Sequence, residues 1–431
     1  MFSKHGKDTA QRGFKKPLPC PQKGVERERN EPDAKAILPK LRSVQKANSY
    51  QLNFHVITFG RLGLTIIGLL LALGLPAAEL PTQPLFVSGE GYKRYRIPAL
   101  IVTAKGTVLA FAEGRVGGGG LVGDIDLVLR RSTDGGKTWL AEQKVADLGE
   151  DTLGNPCPVV DRNTGTIWLP FTRSPGKSTE KQIVAGESPA PTTVWLTHST
   201  NDGLTWSAPR DLSATGRRPD WRWYGTGPGI GIQLATGRLL IPSYHTEPNE
   251  MYRSHALYSD DHGATWQLGA TVGEHTAECQ AAERRDGTVV LNMRGTNKQF
   301  VRTLAESKDG GRTWSAPRLE KQLPEPACEA ALLALRPPLA KAGQASPQDS
   351  LWLFSNPPGA TRRALTLRLS RDEGRTWTAS RVFDPGAAEY SCLTRLPNGE
   401  IGLLYELSRA GQPYRPELHF ATFPVGWVEG R

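Results

Sequence analysis

The sequence predicts an all-β fold, a six-bladed β-propeller, and three observations lead to this prediction. Short runs of alternating apolar residues, bounded by turn residues, recur along the chain. One octapeptide pattern that ends in tryptophan occurs five times between Ser132 and Trp377. Glycine (46), proline (33) and tryptophan (11) are plentiful, and long apolar stripes with a helical period are lacking, which favours many short strands joined by turns.

The repeated octapeptide has the form S-x-[DN]-x-G-x-T-W. Its copies are STDGGKTW (Ser132–Trp139), STNDGLTW (Ser199–Trp206), SDDHGATW (Ser259–Trp266), SKDGGRTW (Ser307–Trp314) and SRDEGRTW (Ser370–Trp377). In each copy the serine and the Asp or Asn can bond turn amides, the glycine permits a positive φ, and the tryptophan anchors the turn in the core. These Asp-box turns are therefore predicted to be structural, and their aspartates are not expected to be catalytic.

Repeats of this length, with several strands each, indicate a β-propeller. Residues 85–428 have room for about six blades of roughly 50–60 residues each. Runs such as GTVLAFAE (Gly106–Glu113) and GRLLIPSYH (Gly237–His245) read as strands. The segment ELHFATFPVGWV (Glu417–Val428) is expected to supply a strand that closes the ring.

The formal net charge of +10 comes mainly from the first 61 residues. These residues hold 13 of the 53 Lys and Arg but only 5 of the 43 Asp and Glu, which leaves 40 basic and 38 acidic residues in the remainder. The near balance of the remainder, with no basic stripe interleaved with aromatic residues, argues against a nucleic-acid partner. Residues 1–61 are predicted to be a solvated, disordered segment.

A short apolar run, LGLTIIGLLLALGL (Leu62–Leu75), follows the basic segment. It is too short to span a bilayer comfortably, since that takes about 20 residues. Together with the small residues after it, the segment 62–78 is typical of a secretory signal. Two interpretations stay open: a start site placed upstream of the true one, or an uncleaved anchor behind a cytoplasmic tail. Either one predicts export to the periplasm, the cell surface or the medium, with membrane contact only through such an anchor.

The five cysteines are Cys20, Cys157, Cys279, Cys328 and Cys392. None has C-x-x-C spacing, so neither a zinc site nor a thioredoxin-type site is indicated. No metal or organic cofactor is expected. The last four cysteines lie in the exported part and could pair in an oxidising compartment, in a connectivity that the sequence does not specify.

The boxes together with YRIPAL (Tyr95–Leu100) resemble the exo-α-sialidases (neuraminidases) of the bacterial and lysosomal type. The stretches GNPCPVVD (Gly154–Asp161), YGTGPGIGIQL (Tyr224–Leu234) and FSNP (Phe354–Pro357) agree, so the resemblance covers nearly all of residues 85–428. It implies retaining hydrolysis of terminal α-linked sialic acids. The implied partners are sialylated glycans on glycoproteins or glycolipids.

In that family three arginines hold the carboxylate of sialic acid. A guanidinium group suits this role because it can bind a carboxylate through two hydrogen bonds and stays charged at any working pH. Arg96 of YRIP and Arg294 of VVLNMRG match the first two arginines. The third should follow FSNP, where Arg362 is favoured and Arg363 is the alternative.

The resemblance assigns the nucleophile to Tyr390, in AAEYSCLTRL, and its base to Glu278, in HTAECQAAERRDG. The anomeric carbon of sialic acid carries a carboxylate that would repel an anionic nucleophile, whereas a neutral phenol avoids this repulsion. A phenol has a pKa of about 10 and therefore needs an adjacent base.

The general acid is the point at which the chain departs from the family. Family members carry an aspartate in the loop after AFAEGR, and here Leu121 of GRVGGGGLVGDID stands at that position. Asp124 and Asp126 alternate onto one face of the next strand, and Asp124 is the provisional acid. Three interpretations stay open: the loop lets Asp124 reach the site, the enzyme works through water, or the protein has lost hydrolysis and only binds sialic acid.

Further residues are candidates for lining the pockets of the glycerol and N-acetyl groups. They are Asn155, Trp221, Trp223, Tyr224, Tyr244 and His245. A propeller that serves only as a structural interaction module would give the arginines no role, and it predicts no binding of sialosides.

Overall fold

The computed structural model describes residues 80–117, 122–335, 350–408 and 416–431. The predictions for residues 1–61, for the segment 62–78 and for Leu121 lie outside the described residues. Among the helices of the described part, none is both long enough and apolar enough to cross a membrane.

The described part of the chain is almost entirely β-structure, as predicted. The strands are β1 (Thr82–Phe86), β2 (Arg94–Val102), β3 (Val108–Arg115), β4 (Ile125–Ser132), β5 (Gln143–Ala146), β6 (Thr152–Gly154), β7 (Val159–Val160), β8 (Ile167–Ser174), β9 (Thr193–Ser199), β10 (Arg210–Asp211), β11 (Tyr224–Thr226), β12 (Ile232–Gln233), β13 (Leu239–Thr246), β14 (Tyr252–Ser259), β15 (Gln267–Leu268), β16 (Thr276–Glu283), β17 (Val289–Gly295), β18 (Val301–Ser307), β19 (Arg318–Pro324), β20 (Ala331–Ala334), β21 (Trp352–Asn356), β22 (Arg363–Ser370), β23 (Ala379–Arg395), β24 (Ile401–Ser408) and β25 (Glu417–Phe423). The helices α1 (Glu180–Ala185) and α2 (Ser213–Gly216) and the 3-10 helix Val425–Glu429 are short.

Consecutive strands pair with one another, which is the connectivity of a β-propeller. Strands β16 to β19 form one four-stranded antiparallel sheet, and β11 to β15 form a sheet of five strands. The seven-stranded sheet is larger because the 17-residue strand β23 pairs with both β22 and β24, and the nine-stranded sheet is larger because β4 pairs with β6. Because neighbouring groups of strands merge in this way, the number of six blades stays a prediction. Strand β25 pairs with both β24 and β1, which joins the C-terminal strand to the N-terminal one.

The five Asp boxes form the turns that the sequence predicts. Each box begins on the last residue of a strand (β4, β9, β14, β18 or β22) and leads to the next strand. In the first box, Asp134 accepts bonds from the backbone N–H and the hydroxyl of Thr138 at 2.9 and 2.6 Å, and the N–H of Gly136 donates to Ser132 Oγ at 2.8 Å. Equivalent bonds recur in the other four boxes. The box aspartates therefore hold turns together.

Two adjacent glycines of the first box allow a matched test of this turn. A Cβ atom on Gly136 (φ +91°) would lie 2.3 Å from the ring of Phe420, whereas nothing lies within 4 Å of a Cβ on Gly135 (φ +79°). Both glycines have a positive φ that strains an alanine, so the main difference between the two variants is this contact. We expect Gly136→Ala to lower the free energy of unfolding by about 1–3 kcal/mol more than Gly135→Ala does. Urea unfolding of both variants measures the difference, and equal losses would contradict this packing.

The four cysteines of the described residues, Cys157, Cys279, Cys328 and Cys392, are buried free thiols. The pairing that an oxidising compartment would permit is therefore not formed between them. Burial raises the pKa of each of these thiols. Each one packs as a small apolar side chain.

Candidate active site

Several strands are irregular at the points where they carry predicted site residues. The pairing register shifts between Arg96 and Ala99 on β2, across Glu278 on β16, and across Tyr390 on β23. Such bulges bend a strand and redirect its side chains, and they are common beside active sites. Ile97, next to Arg96, even adopts a positive φ of 60°, which is costly for a β-branched residue.

Tyr390 and Glu278 lie 112 residues apart in the sequence and form a direct hydrogen bond. The phenol of Tyr390 donates to Glu278 Oε1, while Arg294 Nη1 donates to Glu278 Oε2 at 2.6 Å and to the phenol oxygen at 3.3 Å. Burial raises the pKa of Tyr390 well above its usual value, and the charge of Glu278 raises it further. The phenol is therefore neutral at rest, with a carboxylate in place to take its proton.

Two more arginines surround the same tyrosine. The guanidinium carbons of Arg96 and Arg362 lie 5.2 and 5.8 Å from the centroid of the Tyr390 ring. With Arg294 at the phenol oxygen, three guanidinium groups converge on one side chain. Arg363, the alternative to Arg362, is exposed at the start of β22. The structure thus brings together five of the predicted site residues and favours Arg362 over Arg363 as the third arginine.

Sequence reasoning missed two glutamates that bind these arginines. Glu406 on β24 accepts from Nε and Nη2 of Arg96 at 3.1 and 2.8 Å, and it also accepts the N–H of Ile97 at 2.8 Å. Glu389 accepts from Nη2 of Arg96 at 2.6 Å and from Nη1 of Arg362 at 2.8 Å. One signal was available for Glu406, because a glutamate within the apolar run IGLLYELS predicts a buried carboxylate with a charged partner.

A third missed carboxyl, Glu180, belongs to helix α1. Thr179 caps this helix through a reciprocal capping box with Gln182, a pattern that the sequence STEKQ carries. The Tyr252 hydroxyl donates to Glu180 at 2.6 Å. Burial raises the pKa of Glu180, and the nearby charge of Glu278 raises it further against the opposing bond from Tyr252. Helix α1 thus adds a carboxyl group that interacts electrostatically with Glu278.

The provisional acid, Asp124, is half-buried just before β4. Burial raises its pKa, and the charges of Asp126 and Asp147 raise it further, which favours the protonated form that an acid needs. Asp126 is engaged, since it accepts from the Tyr92 hydroxyl at 2.6 Å and pairs with Lys144 at 2.8 Å. Within the described residues, no hydrogen bond joins Asp124 to the tyrosine or the glutamate of the central pair.

Three of the predicted pocket residues, Asn155, Trp223 and Tyr244, lie together. Asn155 has a positive φ of 53°, and its Nδ2 donates to the Tyr244 hydroxyl at 3.3 Å. Trp223 Nε1 donates to the same hydroxyl at 3.4 Å. The neighbouring candidates pack in the core, where Trp221 stacks on His245 with 3.4 Å between ring centroids.

Comparisons with known proteins agree with this site. A family model described as a BNR repeat-like domain matches residues 106–403. A sialidase from Micromonospora viridifaciens is 37% identical over 366 residues, which are 81% of this chain and 54% of that protein. Sialidase-2 of Cricetulus griseus is 33% identical over 363 residues, which are 76% of this chain and 92% of that protein.

A solved structure of a Hadza microbial sialidase matches with a TM-score of 0.72 and 29% identity, covering 82% of this chain and 71% of that one. A sialidase from Bacteroides fragilis is 33% identical over 339 residues. The chain spans 54% and 61% of the lengths of the Micromonospora and Bacteroides relatives. These matches extend over most of the strands described above, and they show that the chain belongs to the sialidase family.

Proposed function

We propose that this protein is an exo-α-sialidase that removes terminal α-linked sialic acids from glycans with retention of configuration. One observation carries the proposal: a tyrosine hydrogen-bonded to a glutamate stands within a ring of three arginines. Most glycosidases use a pair of carboxyl groups, whereas sialidases use a tyrosine as the nucleophile. Three guanidinium groups also suit a sugar that bears a carboxylate.

The first chemical step forms a bond between the Tyr390 oxygen and the anomeric carbon. The phenol proton passes to Glu278 Oε1, the glycosidic bond breaks, and the leaving oxygen takes a proton from a general acid. In the second step, water attacks the anomeric carbon and gives one proton to the group that acted as the acid. The bond to Tyr390 breaks, and Glu278 returns the proton to the phenol. Two displacements at one carbon restore the original configuration.

The arginines serve this sequence in two ways. Arg96, Arg294 and Arg362 would bind the substrate carboxylate, and Arg294 also stands where negative charge develops on the phenol oxygen. Fixed positive charge at that position stabilises the transition state because it needs no reorganisation during the reaction. We propose Asp124 as the general acid because it lies in the segment between AFAEGR and β4, and its raised pKa is consistent with a proton donor.

The natural substrates are proposed to be glycoproteins or glycolipids outside the cytoplasm. The secretory signal predicted at residues 62–78 supports this part of the proposal. No nucleic acid and no cofactor take part in it.

Two substrates test the hydrolase and its acid together. An aryl α-sialoside needs little protonation of its leaving group, whereas sialyllactose releases a sugar alcohol that needs an acid. We expect the full chain to turn over both substrates. We expect Asp124→Asn to lower kcat on sialyllactose by about 10²–10⁴-fold and to affect the aryl substrate much less.

The other outcomes separate the competing interpretations. Turnover of the aryl sialoside alone by the unmodified protein would mean that the nucleophile and base work without a side-chain acid. Binding of sialosides without any turnover would refute the hydrolase and leave a sialic-acid-binding propeller. Absence of binding would leave only a structural interaction module.

A further inference from the structure

Glu389 directly precedes Tyr390, and its carboxylate lies between two arginines of the site. Its Oε2 atom accepts from Arg96 Nη2 at 2.6 Å and from Arg362 Nη1 at 2.8 Å. A substrate carboxylate bound by the same two guanidinium groups would need the same donors. We propose that Glu389 is an internal competitor for the substrate carboxylate, which must displace it in order to bind. The inference rests on the proposed function, since it concerns the same anionic sugar.

The two arginines are held in place by groups other than Glu389. Arg96 is fixed by Glu406 through its Nε and Nη2 atoms, at 3.1 and 2.8 Å. Arg362 Nη2 donates to the carbonyl oxygen of Ala327 at 3.1 Å. Removal of the Glu389 carboxylate therefore leaves both guanidinium groups anchored. Glu389 therefore binds to the two arginines, while other groups hold the guanidinium groups in place.

The three arginines of the described site and the carboxylates that pair with them are equal in number. The guanidinium groups of Arg96, Arg294 and Arg362 face the carboxylates of Glu278, Glu389 and Glu406. A further acid, Glu329, is buried, and burial raises the pKa of its carboxyl well above the usual value. A bound sugar carboxylate would leave this enclosed site with one excess negative charge, which is costly.

Displacement of Glu389 toward solvent restores the balance. The Glu389 side chain is 15% exposed, compared with 8% for Glu278 and 1% for Glu406, so of the three it lies closest to solvent. The carboxylate of Glu278 is also needed as the base, and that of Glu406 is buried against Arg96. Glu389 is therefore the group that can leave at the lowest cost.

The test measures KM and kcat of Glu389→Gln and Glu389→Ala on the aryl sialoside and on sialyllactose. A competing charge-assisted hydrogen bond is lost in both variants, so we expect KM to fall about tenfold while kcat changes much less. The matched control is Glu274→Gln, which removes a carboxylate from the exposed pair of Glu274 with Arg253 at 2.9 Å. The control should leave KM unchanged, which shows that a change in total charge is not the cause.

Two results would overturn the inference while the hydrolase stands. A rise in KM in both variants would mean that Glu389 supports the arginines. A collapse of kcat on sialyllactose, with the aryl substrate still turned over, would make Glu389 the proton donor. Absence of turnover by the unmodified protein would instead refute the proposed function. Calorimetric binding of N-acetylneuraminic acid would then decide the inference separately, with tighter binding by both Glu389 variants supporting it and weaker or equal binding overturning it.

Discussion

Replacement of Tyr390 by phenylalanine is expected to lower kcat for an aryl sialoside by at least about a thousandfold. The variant keeps the ring that Arg96 and Arg362 approach but lacks the oxygen that would attack the anomeric carbon. The aryl substrate is the right choice, because its leaving group needs little protonation and the rate therefore depends little on the general acid. Binding of N-acetylneuraminic acid, measured by calorimetry, should persist since the arginines remain.

A matched control separates the loss of a nucleophile from the loss of a buried hydroxyl. Tyr258 is also buried, and its hydroxyl donates to Gln267 at 3.1 Å on strands β14 and β15. Tyr258→Phe should therefore keep full activity. If Tyr390→Phe hydrolysed the aryl sialoside at the rate of the unmodified protein, the nucleophile would have to be another group.

The Asp boxes could be predicted in detail because their bonds are local. The bonds that form the turn of the first box join residues no more than four positions apart, such as Asp134 with Thr138. The octapeptide therefore contains both partners of each interaction. The same locality explains why the aspartates could be judged structural from the pattern alone.

The active site could be predicted only in part, because its bonds are distant in sequence. The resemblance named Tyr390 and Glu278, but no spacing rule joins two residues 112 positions apart. Glu389 was quoted within AAEYSCLTRL and still missed, since acidic side chains usually face solvent. Its role depends on Arg96, 293 positions away, which only the tertiary fold brings to it.

The second large effect concerns the choice between two adjacent arginines. Arg362→Gln is expected to lower kcat/KM by about 10–100-fold, because a charge-assisted bond to the substrate carboxylate is worth about 1.5–3 kcal/mol. Arg363→Gln removes the same charge from the next position, where the side chain is exposed. Its effect on kcat/KM should stay within about threefold, since exposed charges are strongly screened.

A lysine at position 362 tests whether the shape of the guanidinium group, and not only its charge, matters for binding the substrate carboxylate. Arg362→Lys keeps the charge but not the planar fork that also reaches the carbonyl oxygen of Ala327, so its kcat/KM should lie between those of Arg362→Gln and the unmodified protein. A larger loss in Arg363→Gln than in Arg362→Gln would make Arg363 the third arginine. Such a result would also contradict the competition by Glu389, because the Arg362 that it contacts would not be an arginine that binds the substrate. The variants at Arg362 and Arg363 therefore test two points. They show which of the two arginines binds the substrate carboxylate, and they test the contact between Arg362 and Glu389 on which the proposed competition depends.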